Sequence, residues 1–457
     1  MDYARISIIK RDGKREAFSL DKIVGAITKA YRAGGIDNER QTIDRIAEDI
    51  AASIATEEIS VEQIQDMVEE RLMQHNPSIA KRYIIYREWR NVERDRRSQI
   101  KGVMDGIVTV ERNDINLSNA NMSSHTPAGQ MMTFASEITK DYALKYLVGV
   151  RHGRAHRDGS IHIHDLDYYP TKTTTCIQYD LGDIYERGFS TKNGSVRSPQ
   201  SVQSYATLAT IVFQTNQNEQ HGGQSIPAFD HFMAPGVLKT FRKHVVDMTL
   251  FLCGLRGIEA PDRKAFKQLV AEHVATIEPC DEAVGALFAA LRCAGLEIAD
   301  ADMRGIWRQA YDATRRETHQ AMEGFIHNLN TMHSRGGNQV VFSSVNYGTD
   351  SSPEGRMVIR ELLSATVEGL GHGEVPVFPI QIFKIKEGIS WSEADYELAV
   401  KDFDRALAGE VKFSTPNFDL LIEACRTTSV ALFPNFMFLD APFNLNEKWR
   451  ADDPDRF

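Results

Sequence analysis

The chain has 457 residues, of which 42% are hydrophobic and 25% are charged, and its formal net charge is −10. These fractions are typical of a globular protein, and the length predicts about two to four domains. The negative charge argues against general nucleic-acid binding, which needs a basic surface to replace counterions. No run of about 18 apolar residues occurs and no apolar segment follows the N-terminus, so we expect a cytoplasmic protein that does not bind membranes.

The five cysteines are scattered along the sequence, and no two of them form a Cys-x-x-Cys pair. This spacing encodes neither a zinc knuckle nor a local redox pair. An odd number of cysteines in a cytoplasmic chain also argues against a disulfide framework. The cysteines are Cys176, Cys253, Cys280, Cys293 and Cys425.

The N-terminal segment predicts a short β-ribbon at residues 3–18, because an Asp-Gly dipeptide lies between two strand-like runs. Ser19 is a candidate N-cap for the helix that follows. Helical patterning then continues to about residue 97, with Ile43 and Ile46 on one face. We expect residues 1–97 to form a small α+β domain.

The rest of the chain alternates long helices with short strands, which predicts an α/β domain at residues 98–457. Its first residues, 98–120, are expected to form a linker rich in Asn and Asp. The helices are predicted at 133–156, 201–221, 236–255 and 261–333, and the strands at 161–165, 339–345, 376–383 and 433–440.

The segment Gly159–Cys176 carries the densest group of polar and ionisable side chains. His162 and His164 alternate with isoleucines, as on one face of a strand, and Asp165 follows as a candidate partner for a histidine. Burial of such groups is costly without partners, so the segment is a candidate site. Two alternatives remain open at this point: the histidines as metal ligands, and Cys176 as a buried apolar residue.

Two glycine pairs offer sharp turns and close backbone approach. Gly222 and Gly223 follow a predicted helix, whereas Gly336 and Gly337 precede a predicted strand. Next to the second pair, Ser334 and Arg335 would complete a phosphate cradle. The alternative for each pair is a helix C-cap followed by a turn.

The N-terminal domain resembles the ATP-cone, a regulatory nucleotide-binding module. The resemblance implies that ATP and dATP act as allosteric effectors. A tight glycine turn lets backbone N–H groups approach phosphate, while lysine and arginine supply charge. The residues that carry this expected site are Lys10, Arg11, Gly13, Lys14, Lys22 and Arg87.

From Ile8 to Phe457 the chain resembles the anaerobic (class III) ribonucleotide reductases, which are glycyl-radical enzymes. The resemblance implies a ten-stranded α/β barrel. It implies that Cys425, at the tip of a finger loop, becomes a thiyl radical that takes the ribose 3′-hydrogen. It also implies that Cys176, on a barrel strand, returns a hydrogen to C2′. Either Asn444 or Asn446 matches a family asparagine that contacts substrate or formate.

The same resemblance implies where the substrate binds and what reaction follows. The expected reaction is the reduction of ribonucleoside triphosphates to deoxyribonucleoside triphosphates, with formate as the reductant. The implied partners are a radical-SAM activating protein and a second copy of the chain in a homodimer. The expected substrate-binding residues are His162, His164, Gly222, Gly223, Ser334, Arg335, Gly336 and Gly337.

Family members also carry a four-cysteine zinc site and a glycine that stores the radical, and we find neither in these 457 residues. We therefore expect a fragment, a truncated product or one half of a split enzyme, completed by another chain and inactive alone. One alternative is a regulatory nucleotide-binding protein with an inert barrel remnant. A formate-lyase type of glycyl-radical enzyme is disfavoured, because no Cys-Cys pair is present.

Overall fold

The computed structural model describes residues 6–10, 14–108, 118–119, 122–123, 126–191, 194–293, 295–334 and 339–440. Contacts divide the chain into two compact units, which are residues 1–110 and residues 111–457. Among the described residues, no helix is both long and apolar enough to cross a membrane.

The N-terminal unit combines a small sheet with four helices. Its central strand β1 pairs antiparallel with β2 and parallel with β3. The elements in chain order are β1 (Ser7–Ile9), β2 (Arg15–Ala17), α1 (Leu20–Ala33), α2 (Arg40–Ala52), β3 (Glu58–Ser60), α3 (Val61–His75) and α4 (Pro77–Val108).

The predicted ribbon and the predicted helical face of this unit are confirmed. Ile43, Ile46 and Ile50 of α2 are buried in the unit's core. Ser19 stands at the N-cap of α1, although its side chain makes no cap hydrogen bond. The linker expected from residue 98 is wrong in its first part, because α4 continues to Val108.

The second unit is built on a parallel sheet. Its elements begin with β4 (Ser118–Asn119), β5 (Met122–Ser123), α5 (Pro127–Tyr142), a π-helical turn (Ala143–Leu147), α6 (Val150–Arg157), a 3₁₀ turn (Tyr169–Thr171), β6 (Cys176–Gln178), α7 (Leu181–Arg187), β7 (Phe189–Thr191), β8 (Gly194–Val196), α8 (Val202–Asn216) and β9 (Gly223–Ile226). They continue with α9 (Phe229–Arg256), α10 (Arg263–His273), α11 (Asp281–Cys293), α12 (Asp300–Thr331), β10 (Ser343–Tyr347), α13 (Pro353–Glu368), β11 (Ile380–Ile385), α14 (Glu393–Lys401), α15 (Phe403–Leu407), α16 (Phe418–Val430) and β12 (Asn435–Phe438).

The sheet has the lateral order β12-β11-β10-β9-β6, and every neighbouring pair is parallel. Parallel neighbours require crossover connections, and helices supply them. The predicted α/β class is therefore confirmed. The described part of the chain contributes five strands to this sheet, so the ten-stranded closure stays a prediction.

Helices α8, α9, α12 and α13 pack against one another and form most of the core. The rings of Phe229 and Phe325 stack with their centroids 5.0 Å apart, and both side chains are fully buried. This rigid layer supports the strands that carry the candidate site.

The strand predicted at 161–165 is wrong. Residues 164–168 form turns instead, and Asp165 has a φ of 51° in the left-handed region. An extended strand cannot pass through such a residue. The remaining predicted strands are present with shifted ends, as β10, β11 and β12.

Candidate active site and effector site

A cleft of about 830 Å³ opens along the amino-terminal ends of β6, β9, β10 and β11. Cys176, Gly223, Ser343 and Ile380 are the first residues of these four strands, and all four line the cleft. Cys176 pairs in register with Gly223 on the neighbouring strand. The sheet therefore brings the predicted residues Cys176 and Gly223 side by side.

Cys176 belongs to an edge strand, because β6 pairs only with β9 among the described strands. Cys176 is exposed and forms part of the cleft wall. The alternative of a buried apolar cysteine is therefore wrong for Cys176. An accessible thiol on a fixed backbone can meet a bound ligand.

The apolar wall of the cleft consists of aromatic and β-branched side chains. The rings of Phe342 and Phe378 stack with their centroids 5.3 Å apart, and Val340 and Val377 extend the same surface. Such a wall lowers the local polarity around a bound ligand.

Asn330, near the end of α12, holds this wall in place. Its Oδ1 accepts hydrogen bonds from the backbone N–H groups of Val377 (2.9 Å) and Phe378 (3.0 Å). Its amide nitrogen donates to the carbonyls of Phe378 and Ile326. One side chain thus satisfies the backbone of the loop that precedes β11.

Replacing Asn330 with alanine is expected to destabilise the chain by about 1–3 kcal/mol, because two backbone donors lose their acceptor. Urea unfolding at fixed temperature measures the loss. The matched control is Asn218→Ala, which removes an exposed amide with one long hydrogen bond to the Gln214 carbonyl (3.4 Å) and should lose much less. Equal stability of Asn330→Ala and the wild type would contradict this role.

Gln224 fixes β9 from inside the unit. Its amide nitrogen donates to the carbonyl of Phe213 (3.1 Å) and to Oε1 of Gln217 (2.9 Å). Its Oε1 accepts from the Tyr179 hydroxyl and from Asn216 (3.3 Å). A buried amide with all these partners rigidifies the strand beside Cys176.

The segment that precedes Cys176 and the segment that precedes Gly223 contact each other. His221 Nε2 lies 3.1 Å from Asp165 Oδ1, and the His221 ring stacks on Tyr168 with centroids 3.6 Å apart. Gly222 has a φ of 103°, and a Cβ there would lie 1.4 Å from the Thr175 carbonyl oxygen. The segment that ends at Cys176 is therefore pressed directly against the Gly222 turn.

Asp165 contacts both neighbouring histidines, since its Oδ2 lies 2.8 Å from His164 Nδ1. Burial acts to raise the pKa of Asp165, but the hydrogen bonds from His164 and His221 outweigh it and lower that pKa. The carboxylate is thus held in its ionised form at neutral pH.

His162 and His164 do not share a strand face as predicted, because they lie in irregular and turn structure. Their rings are 6.0 Å apart and edge-on, and neither histidine lines the cleft that contains Cys176. Within the described ranges, no group of three or more His, Cys, Asp or Glu residues is arranged to hold a metal ion.

Cys425 lies in the interior of α16, so its expected position at the tip of a loop is wrong. Phe418, Leu421 and Ala424 recur at helical spacing and are buried, which explains the helix. Cys425 itself is exposed and is not among the residues that line the cleft with Cys176. That the two sulfurs face each other stays a prediction.

The second glycine motif is only partly described. Ser334 is half-buried, and its hydroxyl oxygen is buried without a hydrogen-bond partner in the described part of the chain. Arg335, Gly336 and Gly337 lie outside the described residues, as do Asn444 and Asn446.

The N-terminal unit brings two of its predicted effector residues together. Lys10 and Lys22 each place Nζ 2.5 Å from a different carboxylate oxygen of Glu16. Hydrogen bonds from the two lysines lower the pKa of Glu16 to about 2. The Lys10 N–H donates to the Lys14 carbonyl (2.8 Å), which joins the inner ends of β1 and β2. Arg11 and Gly13 lie outside the described residues.

Arg87 makes its contacts elsewhere, with two acidic side chains of α3. Its Nη1 lies 2.6 Å from Asp66 and 2.8 Å from Glu69. This side chain is mostly buried and already has two carboxylate partners. Its expected role at the effector site stays a prediction.

Sequence reasoning did not single out Asn330, Phe342 or Phe378, which build the cleft wall. Their only signal is local: Asn330 lies near the end of a long helical pattern, and the two phenylalanines lie within the predicted strands at 339–345 and 376–383. Contacts across tens of residues are not encoded in local periodicity. Glu16 could have been identified from the sequence, because it lies in the predicted ribbon only three residues after Gly13.

Comparison with known proteins agrees with both units. The family model described as anaerobic ribonucleoside-triphosphate reductase matches residues 118–456, and the ATP cone domain model matches residues 6–92. The anaerobic ribonucleoside-triphosphate reductase of Haemophilus influenzae is 24% identical over 454 residues, covering 98% of this chain and 54% of that protein. The Escherichia coli protein of the same name is 24% identical over 436 residues, covering 95% of this chain and 51% of that protein.

Among solved structures, the anaerobic ribonucleotide reductase from Thermotoga maritima in complex with dATP and CTP gives a TM-score of 0.42 at 12% identity. The match covers 78% of this chain and 50% of that one. The chain spans about half the length of the curated relatives it matches. Because the family model matches well over half of its residues, the chain belongs to the anaerobic ribonucleoside-triphosphate reductase family.

Proposed function

We propose that this chain supplies the effector unit and the Cys176 wall of the catalytic cleft in an anaerobic ribonucleoside-triphosphate reductase. The reaction replaces the ribose 2′-hydroxyl with hydrogen. With formate as the reductant, one ribonucleoside triphosphate, one formate and one proton give one deoxyribonucleoside triphosphate, one carbon dioxide and one water.

The observation that carries this proposal is the position of Cys176. An exposed thiol begins an edge strand and lines a cleft with a mostly apolar wall. A thiol S–H bond can give a hydrogen atom to a carbon-centred sugar radical. The apolar wall formed by Phe342 and Phe378 limits water around such a radical, which favours hydrogen transfer over side reactions.

A phosphate site for the substrate is proposed at Ser334–Gly337, the segment that leads into Val340 of the cleft. The buried and unpartnered Ser334 hydroxyl supports this proposal within the described residues. A serine hydroxyl, backbone N–H groups beside glycines and one arginine form a suitable donor set for phosphate.

The effector unit is proposed to bind ATP or dATP at the β1–β2 hairpin. Glu16 holds the ammonium groups of Lys10 and Lys22 close together before any nucleotide arrives. A phosphate group would compete with Glu16 for both lysines and carries more negative charge than the carboxylate. The pair is thus preorganised for a polyphosphate.

Replacing both Lys10 and Arg11 with alanine is expected to weaken ATP and dATP binding by about tenfold or more, because charge-assisted hydrogen bonds are lost. Lys22→Ala should act in the same direction. Calorimetric titration of the chain with each nucleotide measures the dissociation constants. The control is Lys29→Ala, on the same helix as Lys22, and unchanged affinity in the double variant would contradict the site.

The remaining partners are proposed on family resemblance. They are a radical-SAM activating protein, a stored glycyl radical that starts the chemistry, and a second copy of the chain in a homodimer. The zinc site and the stored glycyl radical are proposed for the complete enzyme outside these 457 residues, which contain neither motif.

The experiment that tests the function is anaerobic turnover of ribonucleoside triphosphates by the complete enzyme with its activating protein and formate. We expect deoxyribonucleoside triphosphate and carbon dioxide in equal amounts. Effector binding without turnover would instead support the second candidate, a nucleotide-binding regulatory protein.

A further inference from the structure

Asp165, Tyr168 and His221 form a compact group next to the Thr175–Gly222 contact, and we name this group the histidine clamp. The His221 ring lies nearly parallel to that of Tyr168, with an interplanar angle of 11°. The hydrogen-bond distance from His221 Nε2 to Asp165 Oδ1 is 3.1 Å. The side chains of His221 and Asp165 are only 12% and 19% exposed, so solvent competes weakly for this bond.

The histidine clamp is adjacent in sequence to the backbone contact that positions Cys176. His221 directly precedes Gly222, whose α-carbon is packed against the Thr175 carbonyl. The next residue on each side forms the Cys176–Gly223 strand pair. Fixing His221 against the loop at 165–168 therefore fixes the start of β6 against the start of β9.

The loop held by the clamp is strained. Asp165 and Lys172 have φ angles of 51° and 58°, and they are the only non-glycine residues with positive φ in the described part of the chain. Such conformations cost energy and persist only where surrounding contacts enforce them. Both strained residues lie in the loop that ends at Cys176, which indicates that the conformation of this loop is maintained for function.

We propose that His221 is a positioning residue for Cys176, acting through the Asp165 hydrogen bond and the Tyr168 stack to hold the sulfur at the wall of the cleft. This inference rests on the proposed function, in which Cys176 donates hydrogen. It assigns the histidine of the Gly222–Gly223 motif a task that does not require contact with the substrate.

The test compares backbone hydrogen exchange at residues 176–179 in the intact chain, read by peptide mass spectrometry. Cys176 pairs with Gly223 and the Tyr179 N–H donates to the Ser225 carbonyl (2.9 Å), so exchange there requires β6 to separate from β9. Strand β11 serves as the internal reference, and α9, which lies in the core, reports global unfolding. The variants are His221→Phe, which keeps an aromatic ring but removes the N–H donor, and His221→Gln, which keeps a donor at similar reach.

In His221→Phe we expect the amides of β6 to exchange about tenfold faster relative to those of β11, because local opening of β6 controls their exchange. His221→Gln should restore the exchange rate to within about threefold of the wild type, since the charge-assisted bond returns. The matched control is His164→Ala, which removes the other partner of Asp165 and should change the exchange rate by less than about twofold. Exchange in α9 should stay unchanged in all variants.

An unchanged exchange rate of β6 in His221→Phe would overturn the proposal, and so would a change in His164→Ala as large as that in His221→Phe. In the complete enzyme, His221→Phe should lower kcat with little change in KM. If Cys176→Ala kept full turnover, the proposed function would fail, whereas the exchange result would still decide the positioning role.

Discussion

Replacing Cys176 with alanine is expected to lower deoxynucleotide formation by the complete enzyme by on the order of 10³-fold or more. The reason is chemical: alanine has no S–H bond to donate, and Cys176 is the exposed thiol on the cleft wall. Cys176→Ser should be equally inactive, because an O–H bond is too strong to give its hydrogen to a sugar radical. Anaerobic turnover with formate and the activating protein measures both variants.

The control for Cys176 is Cys280→Ala, which changes an exposed cysteine outside the cleft and should leave turnover within about twofold of the wild type. Cys425→Ala decides the second sulfur. Loss of activity there would support the predicted facing pair, and full activity would assign Cys425 to the surface of α16. Turnover by Cys176→Ala at the wild-type rate would refute its role.

Replacing Gly222 with alanine is expected to destabilise the chain by about 3 kcal/mol or more. Two costs add: alanine is strained in a left-handed backbone conformation, and its Cβ makes a steric clash. Its φ is 103°, and the new Cβ would lie 1.4 Å from the Thr175 carbonyl oxygen. That neighbour is backbone, so it can move only if β6 moves as well. Chemical unfolding of the chain measures the loss.

Gly223 provides the matched control, because a Cβ there would meet no atom within 4 Å. Gly223→Ala should change stability by less than about 1 kcal/mol, and its reduced unfolded-state entropy acts in the stabilising direction. Equal losses of stability in the two variants would contradict the conclusion that the close approach of Thr175 requires glycine at position 222.

Local patterns predicted the elements whose structure is decided locally. The Asp-Gly turn predicted the β1–β2 ribbon, and the spacing of Ile43, Ile46 and Ile50 predicted the buried face of α2. The predicted strand at 161–165 is wrong because the alternation of His and Ile is not sufficient for this segment to pair with another strand. The backbone there turns at Asp165, which a period of two does not reveal.

The candidate site was predictable in its parts but not in its assembly. The sequence singled out Cys176 and Gly223, yet only the sheet register makes them neighbours. The bond between Asp165 and His221 joins residues 56 positions apart, and no local spacing encodes such a contact. The family resemblance predicted Cys425 at the tip of a loop, although the spacing of the apolar residues from Phe418 to Ala424 indicates a helix.

The lateral order of the strands repeats their order along the chain, which has a consequence for synthesis on the ribosome. Each new strand finds its partner already made, but helices α9 to α12 must emerge between β9 and β10. The pair β6–β9 therefore waits with the edge of β9 unpaired until β10 is made. An unpaired strand edge can pair with another chain, so we expect this interval to be the step of synthesis at which the nascent chain aggregates most readily.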